Sequence, residues 1–227
     1  MSAREQISPA DSLRSPEEIN APDPRQILSL GAADEALRRH HGDVAQFVLS
    51  HAVPLDVVVQ FETAKNLYLY AWHVYRFYPV AEGHALTTLE FGLRERLRSE
   101  LPVILQRYKG RKKQATLPDL LRYAVDQQLI RNEGFRRWHA RARLRAEERY
   151  RLERIKKMAA EGLEQIELDY ENAVIEPVDQ NLNLVDELVD SLRENRNMHA
   201  HGGRYLAPRG LGTFELVTEI LNQVFEA

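Results

Sequence analysis

The sequence predicts an all-α protein, a helical bundle with a charged helical insertion and a flexible N-terminal arm. Three observations carry that expectation. From Gly31 onward apolar residues recur at helical spacing almost throughout, strand-like alternation is scarce, and the prolines mostly fall where helices should begin or break. With 227 residues, 44% of them hydrophobic, the chain can bury a proper core in one domain with embellishments or at most two small ones. Its 31 Lys+Arg against 34 Asp+Glu give a net charge of −3, so a nucleic-acid surface would have to be a local patch. Cysteine is absent, which excludes disulfides, Cys-ligated zinc, iron–sulfur clusters and thiol catalysis. No apolar run approaches the ~20 residues that span a bilayer. The stretch from Met1 to Pro9 has no apolar signal core, so a soluble, cytoplasmic protein is expected, with no membrane partner.

Four of the ten prolines (Pro9, Pro16, Pro22, Pro24) fall within the first 24 residues among Ser, Asp and Glu. That composition does not offset the entropy of ordering and predicts a loose arm over 1–30, followed by a single domain over 31–227. Pro54 opens a helix reaching about Arg76, with Val58, Phe61, Leu67, Tyr70, Val74 and Phe77 near helical spacing, and Tyr78-Pro79 breaks it. A second long segment runs from Val80 to about Tyr108 on a Leu86, Leu89, Leu93, Leu97 stripe, kinked or divided at Pro102. Thr116-Leu-Pro-Asp reads as a capped helix start, with Pro118 in the first turn.

An insertion is expected at about 131–180. Residues 135–157 hold ten basic residues and three glutamates, while 158–190 hold ten acidic residues and no basic ones. The pairs Glu147–Arg151 and Glu153–Lys157 have the favourable i,i+4 order of a solvated helix. With Trp138 and Tyr150 interleaved, the basic run could follow an RNA backbone; the plainer reading pairs it with the acidic stretch, in a hairpin. Asn183 with Asp186 reads as a capping-box-like start. The last helix is expected near Thr213, its face formed by Leu216, Val217, Ile220, Leu221, Val224 and Phe225.

The chemistry concentrates after residue 184. At 100° per residue, Val185, Leu188, Val189 and Leu192 form one apolar stripe. Continuing the count puts Arg196 and His199 where leucines had been, whereas His201 lies near a diglycine (Gly202-Gly203) that ends the helix. A guanidinium on a buried stripe needs a carboxylate partner, such as Asp186 or Glu90, or a cleft or subunit interface to line.

Arg196-Asn197-Met198-His199-Ala200-His201 resembles the Arg-x(4–6)-His motif of HEPN domains, small helical bundles found in toxins, abortive-infection proteins and CRISPR-associated ribonucleases. The resemblance is strongest over 184–203 and looser over 54–108, where Leu89-Glu90-Phe91-Gly92-Leu93-Arg94 looks like the family's early helix. The arm and the charged stretch have no counterpart in the minimal domain. What the resemblance implies is a homodimeric endoribonuclease, free of metal and cofactor, that leaves 2′,3′-cyclic phosphate and 5′-OH ends. Its composite site would hold Arg196 and His201 from both chains, with Asn197 orienting the site or bonding across the dimer, in host defence or as a toxin with an antitoxin or regulatory partner. Arg193 with His199 also satisfies the spacing, so His199 stands as a second candidate imidazole and Arg193 as an RNA contact. The residue types suit the reaction, because histidine accepts or donates a proton near neutral pH and arginine presents a permanent fork to phosphate oxygens. The alternative is a catalytically inert HEPN-like module that dimerises or binds RNA or a partner.

Arg107-Tyr-Lys-Gly-Arg-Lys-Lys113 makes a second cationic patch, with Arg107, Lys109, Arg111, Lys112 and Lys113 as candidate RNA contacts. Six of the eighteen aromatics crowd into 68–78, which favours core or an interface over base stacking. No Gly-rich phosphate loop, serine nucleophile elbow or dinucleotide fingerprint occurs, and no metal site is expected from the histidines.

Overall fold

A computed structural model describes residues 7–26, 33–108, 114–189, 191–192 and 210–227. Among them regular structure is helical only, with no strand. The helices are α1 (Ala33–Ala45), α2 (Leu55–Tyr70), α3 (Phe77–Arg96), α4 (Leu101–Tyr108), α5 (Leu117–Asp126), α6 (Arg136–Glu161), α7 (184–189 and 191–192) and α8 (Leu211–Glu226). No helix among the described residues is long and apolar enough to cross a membrane.

Pro54, fixed near φ −57°, precedes α2. The helix stops at Tyr70 rather than Arg76, and residues 71–76 turn the chain. α3 then begins at Phe77, ahead of the expected Val80. Tyr78-Pro79 does not break a helix but opens one, because a first-turn proline lacks only an N–H that has no acceptor within the helix. The long segment expected over 80–108 is two helices. Leu97 leaves the helical region at φ −103°, ψ 24°, and Pro102 sits in the first turn of α4. α5 starts as expected, with Asp119 accepting the Thr116 N–H (2.9 Å) and hydroxyl (2.6 Å).

α3 is the central element. It buries Ala81, Glu82, Ala85, Leu86, Thr88, Leu89, Gly92 and Leu93, too broad a set for one face, because α2, α5 and α8 all pack on it. A Cβ at Gly92 would stand 2.5 Å from Leu221 Cδ2 and 3.3 Å from Val57 Cγ1, so α8 and α2 both press on this point. Beside it lies an aromatic cluster. Tyr68 meets Tyr78 edge-on at 5.1 Å and Phe214 at 5.6 Å, while His40 stacks on Tyr68 at 4.7 Å and reaches its backbone carbonyl at 3.0 Å. Tyr68, Trp72 and Tyr78 are therefore core residues, and Tyr70 is exposed.

Where composition predicts a loose arm, residues 7–26 are clasped to the 71–76 turn. Asp23 is fully buried and accepts from Arg25 Nε (2.8 Å), Arg25 Nη2 (2.9 Å) and the Tyr75 N–H (3.0 Å). Asp11 bridges Arg25 (2.9 Å) and Arg76 (2.7 Å). The clasp is short-range and ionic, so the arm's low apolar content does not forbid it. Arg76 above all, with Arg25, holds the Asp11 carboxyl down to about 2. Burial pushes Asp23 up, but the Arg25 fork and the Tyr75 and Arg25 N–H groups outweigh it and leave its pKa lowered.

α6 is rooted by buried Phe135 and by Trp138, whose Nε1 donates to the Leu182 carbonyl (3.1 Å). Arg136 and Arg137 tie its start to Glu215 on α8, at 3.0 and 3.4 Å. Farther along, its arginines hold the strap 163–183. Arg149 pairs with Asp179 (2.9 Å) and Glu176 (3.0 Å) and donates to the Val174 carbonyl (2.8 Å). Arg143 reaches the carbonyls of Tyr170 (2.6 Å) and Ala173 (2.7 Å), and Arg145 and Arg154 reach those of Asn181 and Glu167 (both 3.1 Å). The intrahelical pairing differs from the expected one: Glu147 goes to Arg143 and Arg151 to Glu148, both at 2.7 Å. Arg151 has a carboxylate at both i−3 (Glu148) and i−4 (Glu147), and Glu147 is already engaged by Arg143.

Two outcomes follow. Gly92→Val should lower stability by about 1–3 kcal/mol through overpacking, read from urea unfolding. The clasp should be complete above about pH 4, the ordinary aspartate range, and fade as the pH falls toward 2, since lowered carboxyl pKa values stabilise only the ionised state. Amide exchange at Asp23 and Tyr75 should follow that window, and Asp11→Asn should raise exchange there already at neutral pH.

Candidate functional site

The frame of the candidate site begins with α7. Asn183 donates through Nδ2 to the Asp186 carboxylate and accepts the Asp186 N–H at 3.4 Å, so the helix starts on its expected cap. A further tie runs from the Val185 N–H to Asn132 Oδ1 (3.0 Å). Leu184, Val185, Leu188, Val189 and Leu192 are all buried, the stripe that the sequence places at 100° intervals. Val185, Leu188, Val189 and Leu192 seat against Leu121, Val125, Ile130, Phe135 and Ile220 with a gap of only about 10 Å³. The helix leading to the motif is thus fixed on α5, α8 and the root of α6.

The motif residues themselves, Arg193, Arg196, Asn197, His199 and His201, lie outside the described residues, as do Lys109, Arg111, Lys112 and Lys113. Arg107 is described. Its guanidinium pairs with Asp126 at 2.7 Å and lies 5.3 Å from the Tyr108 ring centroid, with the side chain half exposed. The Tyr108 hydroxyl donates to the same carboxylate at 2.8 Å, and burial, helped by Asp126, pushes its pKa up. Arg107 is therefore already balanced by a carboxylate, whatever it contributes to an anionic ligand.

A cleft of about 480 Å³ opens beside these groups. Tyr108, Arg122, Val125 and Asp126 line one wall and Asp186 and Val189 the other. Tyr108 is the residue before the cationic stretch 109–113, and Val189 stands four residues before Arg193. Described residues that precede the two segments singled out for RNA in the sequence, Tyr108 and Val189, thus line one cleft. The third segment, Leu89–Arg94, is not part of it. There Leu89, Gly92 and Leu93 are core, and Glu90 pairs with Arg94 at 2.9 Å. Of the two carboxylates considered for Arg196, Asp186 is exposed.

Glu82 is a residue that the sequence reading missed. It is 9% exposed, accepts the Thr213 hydroxyl at 3.3 Å, and its carboxyl group fills the space that a Cβ on Gly210 would take. Glu82 thereby pins the point where the chain returns to α8 after the motif. The signal was present: Glu82 stands in helical register with Leu86, Leu89 and Leu93, the same anomaly that singles out Arg196. The arginines of the basic run on α6 already face carboxylates or carbonyls, Arg141 through Glu187 and the others as described above. Among the described residues no three His, Asp or Glu side chains are placed to hold a metal.

Leu192→Ala should cost about 2–5 kcal/mol by chemical denaturation, because it opens a cavity beneath α7. Glu187→Ala, which removes only an exposed pair with Arg141 (2.8 Å), should change stability by less than about 1 kcal/mol. No protein-family model matches the chain, and neither the curated proteins nor the solved structures contain a match to it.

Proposed function

We propose that this chain is a HEPN-like, metal-independent endoribonuclease of the cytoplasm, working as a homodimer in host defence or as a toxin under an antitoxin or regulatory partner. The observation that carries the reading is Arg196-Asn197-x-x-x-His201 directly behind an amphipathic helix seated in an all-helical body. The cleft beside that helix, lined also by Tyr108, the residue that precedes the cationic stretch 109–113 in the sequence, supports it further.

The chemistry draws on the RNA's own nucleophile. The 2′-OH attacks the adjacent phosphorus as an imidazole takes its proton, and the P–O5′ bond breaks as a second imidazole protonates the leaving 5′ oxygen. The products are a 2′,3′-cyclic phosphate and a 5′-OH. His201 of the two chains supplies both imidazoles, with His199 as the alternative. Arg196 holds the charge that builds on the phosphoryl oxygens, and Asn197 orients the pair.

A second reading has one observation in its favour. The cleft carries Asp126 and Asp186 as well as Arg122, a mixed lining unlike a cationic RNA track. That favours an inert HEPN-like module that binds a protein partner. A cleavage assay on mixed single-stranded and structured RNA in EDTA separates the two. The ribonuclease should give cyclic-phosphate ends that vanish with His201→Ala and Arg196→Ala while both variants keep the wild-type melting temperature. A purely structural Arg196 would instead show a stability loss of ~3–5 kcal/mol from a broken buried pair.

A further inference from the structure

The exposed face of α6 carries a seam unrelated to the candidate site. Arg141, Leu144, Glu148, Arg151, Ile155 and Met158 follow one another at alternating spacings of three and four residues, the pattern of a helix face that packs along a second helix. The opposite face of α6 is the covered one, where Trp138, Ala142 and Ala146 are buried and Arg149 grips the strap, while Arg143 and Arg154 hold it from the flank between that face and the seam. On the seam Leu144 is 64% and Ile155 41% exposed, and Leu152 beside them is 47% exposed. Glu148 and Arg151 lie between the two apolar residues and pair with each other at 2.7 Å.

The spacing of the seam is the same in both directions, and it exchanges an apolar residue for an apolar one and a Glu for an Arg at its four central positions. About a midpoint between Arg149 and Tyr150, Leu144 corresponds to Ile155, Glu148 to Arg151, and Arg141 to Met158. A twofold axis at that midpoint sets two antiparallel copies of α6 side by side, so every contact is made twice. Each Leu144 then meets the partner's Ile155, and each Glu148 meets the partner's Arg151. The two carboxylates and two guanidiniums form one alternating cluster, bracketed by apolar layers. The seam is about 26 Å long at helical rise, and the Arg141 stem can cover Met158 while its head stays on Glu187. Charge complementarity selects the occupant: a parallel copy would set Glu148 against Glu148 and Arg151 against Arg151.

We propose that α6 is a self-association surface, on which a second copy of this chain docks antiparallel through Leu144, Glu148, Arg151 and Ile155. The contact is independent of the ribonuclease reading and of any dimer made by the motif helix.

Glu148→Arg and Arg151→Glu provide the test, both being exposed positions that leave the core untouched. Each variant alone sets like charges against each other twice, so sedimentation equilibrium should show this contact weakened ~10-fold or more. In an equimolar mixture every Arg meets a Glu, and association should return to the wild-type level. Leu144→Cys and Ile155→Cys, in a chain without other cysteines, should cross-link with each other under mild oxidation and neither with itself. That readout is blind to dimerisation through the motif. Unchanged association of the single variants, failure of the mixture to recover, or absence of the 144–155 cross-link would each overturn the proposal.

Discussion

How closely α2 and α8 can approach α3 governs the rest of the body. Three small residues on α3, Ala81, Ala85 and Gly92, are fully or almost fully buried, and at Gly92 the methyl groups of Leu221 and Val57 occupy what would be side-chain space. With the helices that close, Phe214 reaches Phe61 and Tyr68, and the aromatic cluster closes around His40. The same proximity lets Arg96 on α3 donate to the Val224 carbonyl near the end of α8 (2.7 Å), while Glu82 holds the beginning. α8 is therefore pinned at both ends to one helix. α7 takes its seat partly on Ile220 of α8, so the motif's approach inherits its position from the α3–α8 contact.

Charge does a different job at the periphery. The near balance of the whole chain conceals two concentrated devices: a buried carboxylate that clasps residues 7–26, and a row of arginines that binds residues 163–183. Neither resembles a surface awaiting nucleic acid, since most of the guanidiniums concerned already face a carboxylate or a carbonyl. Much of the strongest basic cluster in the sequence thereby serves intramolecular structure, and of the smaller patch at 107–113 Tyr108 lines the cleft while Arg107 pairs with Asp126 at its edge.

Much of the fold is legible in the sequence because its signals are periodic or positional. The α7 stripe, the Thr116 and Asn183 caps and the α8 face come straight from residue type and spacing. Three things were not legible, for identifiable reasons. A proline has opposite meanings in the first turn of a helix and in its interior, so Pro79 could be placed only once the helix start was known. The clasp depends on Asp11, Asp23 and Arg76, whose proximity is a tertiary fact that composition does not encode. The cleft is similar, since Tyr108, Asp126 and Val189 are far apart in sequence and carry no shared pattern. For the site, the sequence supplies the motif residues and the structure supplies their approach, Leu192 on one side and Gly210 on the other.

The grip of α6 on the strap has a consequence for how this protein can vary. Arg143, Arg145, Arg149 and Arg154 hold the strap largely by main-chain carbonyls, those of Glu167, Tyr170, Ala173, Val174 and Asn181. Every amino acid carries that group, so the arginines recognise the path of the strap and not its side chains. Drift in sequence is then lopsided across a single contact. The strap is free to change composition wherever its side chains make no contact of their own, that is away from Asp179, Glu176, buried Ala173, Leu182 against the core and Tyr170 against Tyr150, while the arginines opposite must stay, because no other side chain offers the same planar array of donors. Among diverged copies of this chain, one partner of the contact would look ancient and the other newly written, though both are equally necessary to it.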